Sequence, residues 1–206
     1  MKRGCGSESG TEGAPAVSIS PRVESRWVKV IAAFPERLRD ESIRKTSADR
    51  KIRARGRRVG IDITWVTDRI GVGGGICNAE NMAAVARAGV THIIDMQIEF
   101  DDTPLAGPHG IAVCWNPVDD DFEPKGAEIF RRGVDFGLAA LEENEAKVLI
   151  NCAAGVHRAP MMTLALLGVM GWSVEDAMEL IEGRRPAADF AEVYVKSVED
   201  FLAGRG

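Results

Sequence analysis

Lys147-Val148-Leu149-Ile150-Asn151-Cys152-Ala153-Ala154-Gly155-Val156-His157-Arg158-Ala159-Pro160 decides how the rest of this 206-residue chain is read. The β-branched and aliphatic run Val148 to Ile150, bounded by polar Lys147 and Asn151, predicts a short buried strand. Pro160, a first-turn residue, followed by the apolar run Met161 to Met170, predicts a helix. Between the two lies a loop of small residues with free amides.

Backbone N–H groups of a tight loop at a helix N-terminus form an anion nest, and the helix dipole adds about half a positive charge there. A phosphate dianion answers that need. Cys152 stands at the mouth of the nest, where the same field favours thiolate over thiol and makes it a candidate nucleophile. Arg158 closes the loop with a planar fork of donors that can hold two phosphoryl oxygens and follow them into the transition state. The expected phosphate-binding set is therefore Ala153, Ala154, Gly155, Val156, His157 and Arg158.

Cys-x5-Arg between a strand and a helix resembles the signature of the cysteine-dependent protein tyrosine and dual-specificity phosphatases. Gly110-Ile111-Ala112-Val113-Cys114-Trp115-Asn116-Pro117-Val118-Asp119-Asp120-Asp121 is similar to the strand and acid loop of small members of that family. The resemblance covers roughly residues 60–204. It implies an α/β fold, a three-layer sandwich with a largely parallel central sheet flanked by helices. It also implies a general-acid Asp on a loop roughly thirty residues before the Cys. Asp120, 32 residues before Cys152, is the expected acid, with Asp119 and Asp121 as runners-up.

Three positions depart from the family pattern. Asn151 stands where the family usually has His before the nucleophile. Ala159 replaces the Ser or Thr hydroxyl after the Arg, as in the regenerating-liver and some plant glucan phosphatases, which implies slow breakdown of a phosphoenzyme. His157 takes the place of Gly in those subfamilies and is expected to contribute its backbone amide; a side chain turned to the pocket is the alternative. The implied mechanism is in-line attack by Cys152 on a phosphomonoester held by Arg158 and the loop amides. Asp120 protonates the leaving oxygen, and water then cleaves the phosphocysteine.

The implied substrate is a protein carrying phosphotyrosine, phosphoserine or phosphothreonine. Alternatives are a catalytically weak phosphate-docking pseudophosphatase and a phosphatase of glucans or phosphoinositides. Ala153, Ala154 and Val156 supply none of the Lys that lipid phosphatases tend to carry in this loop. A rhodanese-type sulfurtransferase also places Cys in such a nest, but Arg158 and the acid loop argue against it.

Composition sets the outer limits. With 45% hydrophobic and 28% charged residues the chain reads as one globular domain plus a tail, and its net charge of −5 argues against a general nucleic-acid partner. No apolar run approaches the ~20 residues that span a bilayer, so no stable membrane association is expected. Met1 to Ser20 lacks the apolar core of a secretory leader. Cys5, Cys77, Cys114 and Cys152 have neither zinc-site pairing nor disulfide density, which suits a reduced, cytoplasmic setting. Oxidative pairing of Cys77 or Cys114 with Cys152 is the lesser reading beside inert thiols. No metal or cofactor is expected.

Residues 1–59 read as a disordered or partly ordered basic extension, with a short strand or docking segment over 26–34. From Glu36 to Arg58 there are ten Lys and Arg against four Asp and Glu, a net of +6 that leaves −11 for everything else. A solvated helix or linker is the plain reading; an acidic partner or anionic surface is the other. The catalytic domain is expected over 60–206.

Within it, residues 61–66 and 68–73 predict paired strands. The run Gly71-Val72-Gly73-Gly74-Gly75-Ile76 invites a dinucleotide-binding reading, but Ile76 takes the place of the third glycine. Helices are expected over 78–88, 125–143 and from Ser173 to near Gly183, and a last one capped by Asp189, with a strand over 90–96. Phe190, Val193, Val198, Phe201 and Leu202 are the expected buried set of that last helix. His92 is read as a satisfied strand residue and His109 as an exposed turn residue. This order of elements independently predicts an α/β sandwich.

Overall fold

The computed structural model describes residues 60–205. The expected N-terminal extension, with its 26–34 segment and basic stretch, lies outside the described residues. β1 (Ile63–Trp65) and β2 (Ile70–Gly73) form an antiparallel pair. α1 (Ala79–Arg87), β3 (His92–Asp95), α2 (Thr103–Ala106), a single 3-10 turn (Gly107–His109) and β4 (Ala112–Trp115) follow. Then come α3 (Ala127–Glu142), β5 (Val148–Asn151), α4 (Arg158–Val169), α5 (Val174–Arg184) and α6 (Glu192–Ala203). The sheet order is β1-β2-β5-β3-β4, parallel except at β1, as the α/β sandwich reading expects.

β5 is central because its side chains are apolar on both faces. Leu149 joins Ile93, Met82, Val85, Val90 and Ile111 in the core under α1. Ile150 and Ile94 point to the opposite face, where the Ile94 side chain lies beside Gly137 of α3 and Leu166 of α4. Two-sided burial is the condition for a parallel sheet.

Local signals set the helix starts. Asn78 accepts from the Asn81 amide at 2.8 Å to cap α1, and Ser173 accepts from the Asp176 amide at 3.1 Å to cap α5. Gly89, at φ 86°, takes the left-handed turn that ends α1. α4 is buried nearly all round, which marks a helix enclosed by others rather than one lying on a surface. α3 approaches it closely because Gly133 lies against Met162, where a Cβ would come within 2.6 Å of the sulfur. The buried Met and Leu side chains of α4 each contribute about 1.5–3 kcal/mol of apolar burial.

The last helix corrects the sequence reading. α6 starts at Glu192 with Ala191 as its cap and no side-chain capping bond, so Asp189 is not a cap. Its buried residues are Tyr194, Ser197, Val198 and Phe201, whereas Phe190, Val193 and Leu202 are only partly covered. Tyr194, fully buried, was not expected there.

Candidate active site

Cys152 follows the carboxyl end of β5, the crevice end of an open parallel sheet. It is buried, and the Gly155 N–H donates to its Sγ at 3.2 Å. The carbonyls of residues 153 to 157 each have a partner outside the nest. Ala153 O accepts from the Gly75 amide at 3.0 Å, and Val156 O from the Asp189 amide at 2.8 Å. Arg185 takes Gly155 O through Nε at 2.7 Å and Ala154 O through Nη2 at 3.2 Å. His157 O accepts from Met161 at 2.9 Å inside α4. A trans peptide sets C=O and the next N–H in opposite directions, so these bonds turn the amides of 154 to 158 toward the nest.

The glycine run of 71–75 serves this loop rather than a nucleotide. Gly71 and Gly73 lie in β2, and Gly73 O accepts from the Cys152 amide at 3.3 Å. A Cβ on Gly75 would come within 2.6 Å of Gln97 Oε1, and one on Gly155 would strike Gly73 and Arg185. Gly155 also stands at φ 65°, a conformation costly for other residues.

Arg158, the first residue of α4, is buried and oriented by a side chain that sequence reading missed. Glu99 receives Nη1 at 2.9 Å and Nη2 at 2.8 Å in a bidentate pair, and Nη1 also reaches Val118 O at 3.0 Å. Burial works against the guanidinium charge, but the Glu99 hydrogen bonds and the charges of Cys152, Glu99 and Asp120 outweigh it and raise the Arg158 pKa. Its hydrogen-bonding with Arg158 likewise holds the Glu99 carboxyl below its usual range. Arg158 Nε is buried without a hydrogen-bond partner and lies 3.8 Å from Asp120 Oδ2, which leaves a donor for a phosphoryl oxygen.

Of the three acids on the 119–121 loop, Asp120 faces the nest. Its Oδ2 lies 3.0 Å from His157 Nδ1, and its Oδ1 accepts from the Tyr194 hydroxyl at 3.1 Å. Asp119 accepts from the Asp120 amide, and Asp121 pairs with Lys125 and the Glu123 amide. The Tyr194 phenol also accepts from the Phe122 amide at 3.0 Å, and burial first, then Asp120, push its pKa up to about 12. The amide-only reading of His157 is therefore corrected: the side chain joins the acid loop to the nest.

Asn151 ties the nucleophile strand to the loop after β3. Its Nδ2 donates to Asp102 Oδ2 at 2.8 Å, while Asn151 Oδ1 and Asp102 Oδ1 are buried without partners. Asp95, paired in register with Asn151, accepts from the amides of Gln97 at 3.0 Å and Asp102 at 3.1 Å. Burial, against those two bonds, raises the Asp95 pKa from 3.8 to about 7. Glu99, Arg185, Tyr194 and Asp102 carry no local motif, and the local signal at Asp189 reads as a helix cap. The Arg-Arg-Pro word at 184–186, a polar interruption after a helix, is the nearest to a signal.

Among the described residues no group of three or more His, Cys, Asp and Glu could hold a metal ion, and no helix is long and apolar enough to cross a membrane.

Comparison with known proteins agrees with this geometry. The chain is 28% identical over 68 residues to "Protein-tyrosine-phosphatase IBR5" of Arabidopsis thaliana and 33% identical over 72 residues to "Dual specificity protein phosphatase 5" of Rattus norvegicus. These stretches are 32% and 34% of this chain, but only 26% and 18% of those proteins. Crystal structures share the fold. Human DUSP28 has a TM-score of 0.60 at 21% identity, covering 71% of this chain and 96% of that one. PTPMT1 in complex with PI(5)P has 0.60 at 20%, covering 68% and 94%. Residues 76–201 match the family model "Dual specificity phosphatase, catalytic domain", more than half of the sequence. On that match and this fold, the chain belongs to the dual specificity phosphatase family.

Proposed function

We propose that this chain hydrolyses phosphomonoesters on proteins through a phosphocysteine at Cys152. The observation that carries this reading is the loop itself: Gly155 N–H on Cys152 Sγ, loop carbonyls engaged on the outer side, and a buried Arg158 aligned by Glu99. Phosphate oxygens would be held by the amides of Ala154 to Arg158 and by the guanidinium, which gathers charge-assisted bonds where the transition state carries most charge. Asp120 is the proposed acid, and the same carboxylate would then take a proton from the attacking water.

The surroundings support a phosphoprotein over a polyanionic headgroup. Among the described residues the exposed large apolar side chains are Ile98, Phe100, Trp115 and Phe122. Ile98 and Phe100 flank Glu99, Trp115 Nε1 donates to Gln97 O at 2.8 Å, and Phe122 follows the acid loop. Carboxylates at Glu99, Asp101, Asp121 and Glu123 are interspersed with them. An apolar, acidic rim favours the aromatic ring of phosphotyrosine and disfavours additional phosphates. The chemistry needs a reduced thiol, which suits a cytoplasmic setting.

A rapid-mix time course with p-nitrophenyl phosphate tests the proposal on wild type, Cys152→Ser and Asp120→Ala. A Cys152-dependent burst of about one equivalent, followed by a slow steady rate, is expected. Vanadate binding with no turnover above the Cys152→Ser blank would leave a phosphate-docking module.

A further inference from the structure

His157 is the loop residue whose role amide geometry does not exhaust. Its ring reaches carboxylates on both sides: Nδ1 to Asp120 Oδ2 at 3.0 Å and Nε2 to Asp189 Oδ2 at 3.4 Å. Phe122 meets the ring edge-on, with centroids 5.1 Å apart, and lies flat on Tyr194 at 5.7 Å. Two segments therefore converge on one imidazole, the acid loop and the 185–191 connection, and α6 backs the first of them through Tyr194. The charged and titratable groups around it are Asp120 and Asp189 directly, with Tyr194 at the other oxygen of Asp120 and Arg158 Nε 3.8 Å from the same Oδ2 that His157 reaches.

An acid in this position faces a conflict. Only a protonated Asp120 can donate, yet the Arg158 guanidinium stands 3.8 Å from its Oδ2. Tyr194 already donates to Oδ1, so a proton on Asp120 belongs on Oδ2. Asp189 favours N–H at the Nε2 of His157, and in the neutral ring this leaves Nδ1 as an acceptor. That acceptor is satisfied only when Oδ2 carries a proton.

We propose that His157 is a positioning residue for the general acid, its Nδ1 accepting a hydrogen bond from the Asp120 proton that the leaving group takes. The proposal rests on the phosphocysteine reading of the site. In the first step the bond from Cys152 Sγ to phosphorus forms as the P–O bond breaks, and the Asp120 proton passes to the departing oxygen. In the second, water attacks phosphorus, the S–P bond breaks, and the proton lost by water returns to Asp120.

Single-turnover cleavage with enzyme in excess reads the first step alone. It would be measured with phenyl phosphate, whose leaving group needs the proton, and p-nitrophenyl phosphate, which needs it less. Asp120→Asn is expected to slow phenyl phosphate about 10²–10³-fold and the nitrophenyl ester much less. His157→Ala should slow phenyl phosphate about 10-fold or more and the nitrophenyl ester by no more than about 3-fold. His157→Asn, whose amide can occupy the place of Nδ1, should recover most of the loss. In the Asp120→Asn background, His157→Ala should cost nothing further.

Equal losses on both esters, no recovery in His157→Asn, or full additivity with Asp120→Asn would overturn the proposal while Cys152-dependent cleavage persists. If His157→Ala also loses vanadate affinity, the ester comparison in His157→Asn decides. Absence of any Cys152-dependent cleavage by wild type would overturn the phosphocysteine reading, and this inference with it.

Discussion

Arg185 donates through Nε to the carbonyl of Gly155 at 2.7 Å, so a residue thirty positions downstream turns the phosphate loop inside out. Its remaining nitrogens hold Asp62 at 2.9 and 2.6 Å, which fastens the start of the domain to the same point. Arg185→Leu leaves two loop carbonyls without their donors and Asp62 without its partner. Asp62 is half exposed, so the expected cost is about 2–3 kcal/mol of stability rather than that of a fully buried pair. Vanadate affinity should fall with it, by about 10-fold or more. Chemical denaturation and vanadate titration check both. Unchanged vanadate binding would show that the loop keeps its shape alone.

Gly155→Ala forces a side chain into φ 65° and against Gly73 and Arg185. A cost of about 1–3 kcal/mol is expected from strain, with loss of phosphate binding. Gly183, in α5 with open space where a Cβ would go, is the contrasting site. Gly183→Ala should stabilise by about 0.5–1 kcal/mol and leave activity as it was. Paired melting curves separate the two.

Glu99→Gln keeps the shape of the Arg158 partner but removes its charge. The bidentate geometry weakens, and vanadate binding should drop about 10-fold with little change in melting, because Glu99 is half exposed. Isothermal titration with vanadate measures this; an unchanged dissociation constant would mean that the helix start alone orients the guanidinium.

Stability should depend on pH through Asp95. The folded protein keeps its Asp95 proton up to about pH 7, whereas the unfolded chain loses it near the ordinary value of 3.8. Between these limits the folded state binds more protons, so this residue's contribution falls as pH rises from about 4 to about 7 and is level above. Asp95→Asn should flatten that slope in urea titrations across the window. An unaltered slope would place the burial penalty elsewhere.

Ala159→Ser tests the second step. Ala159, beside Arg158, carries no hydroxyl, and a serine there would supply one hydrogen bond to the leaving thiolate. A gain of about 2–10-fold in steady-state turnover is expected, the worth of one such bond, with the burst amplitude unchanged. Rapid-mix kinetics read both phases. An equal steady rate in the two proteins would mean that cleavage of the phosphocysteine does not limit turnover.

The strand-loop-helix unit was legible because its signals are local. Val148 to Ile150 carry their own burial pattern, and Cys152, Gly155 and Arg158 sit at a fixed spacing. The capping residues Asn78 and Ser173 act on amides three positions away, and the alternation of elements dictates layers. Residue types within a few positions of one another determined the α/β class, the strand order in sequence and the candidate nucleophile.

Tertiary structure alone decided what surrounds that loop. Glu99 reaches Arg158 from 59 residues away, Tyr194 reaches Asp120 from 74, and Asp62 reaches Arg185 from 123. No periodicity or spacing encodes such pairs, because each exists only once the sheet has brought separate loops to one end. The same holds for Asp189, which reads as a helix cap in sequence and faces His157 in the fold, since α6 begins two residues after Phe190. The loop was written locally; the orientation of its carbonyls, its arginine and its acid came from chain segments that meet only in the folded protein.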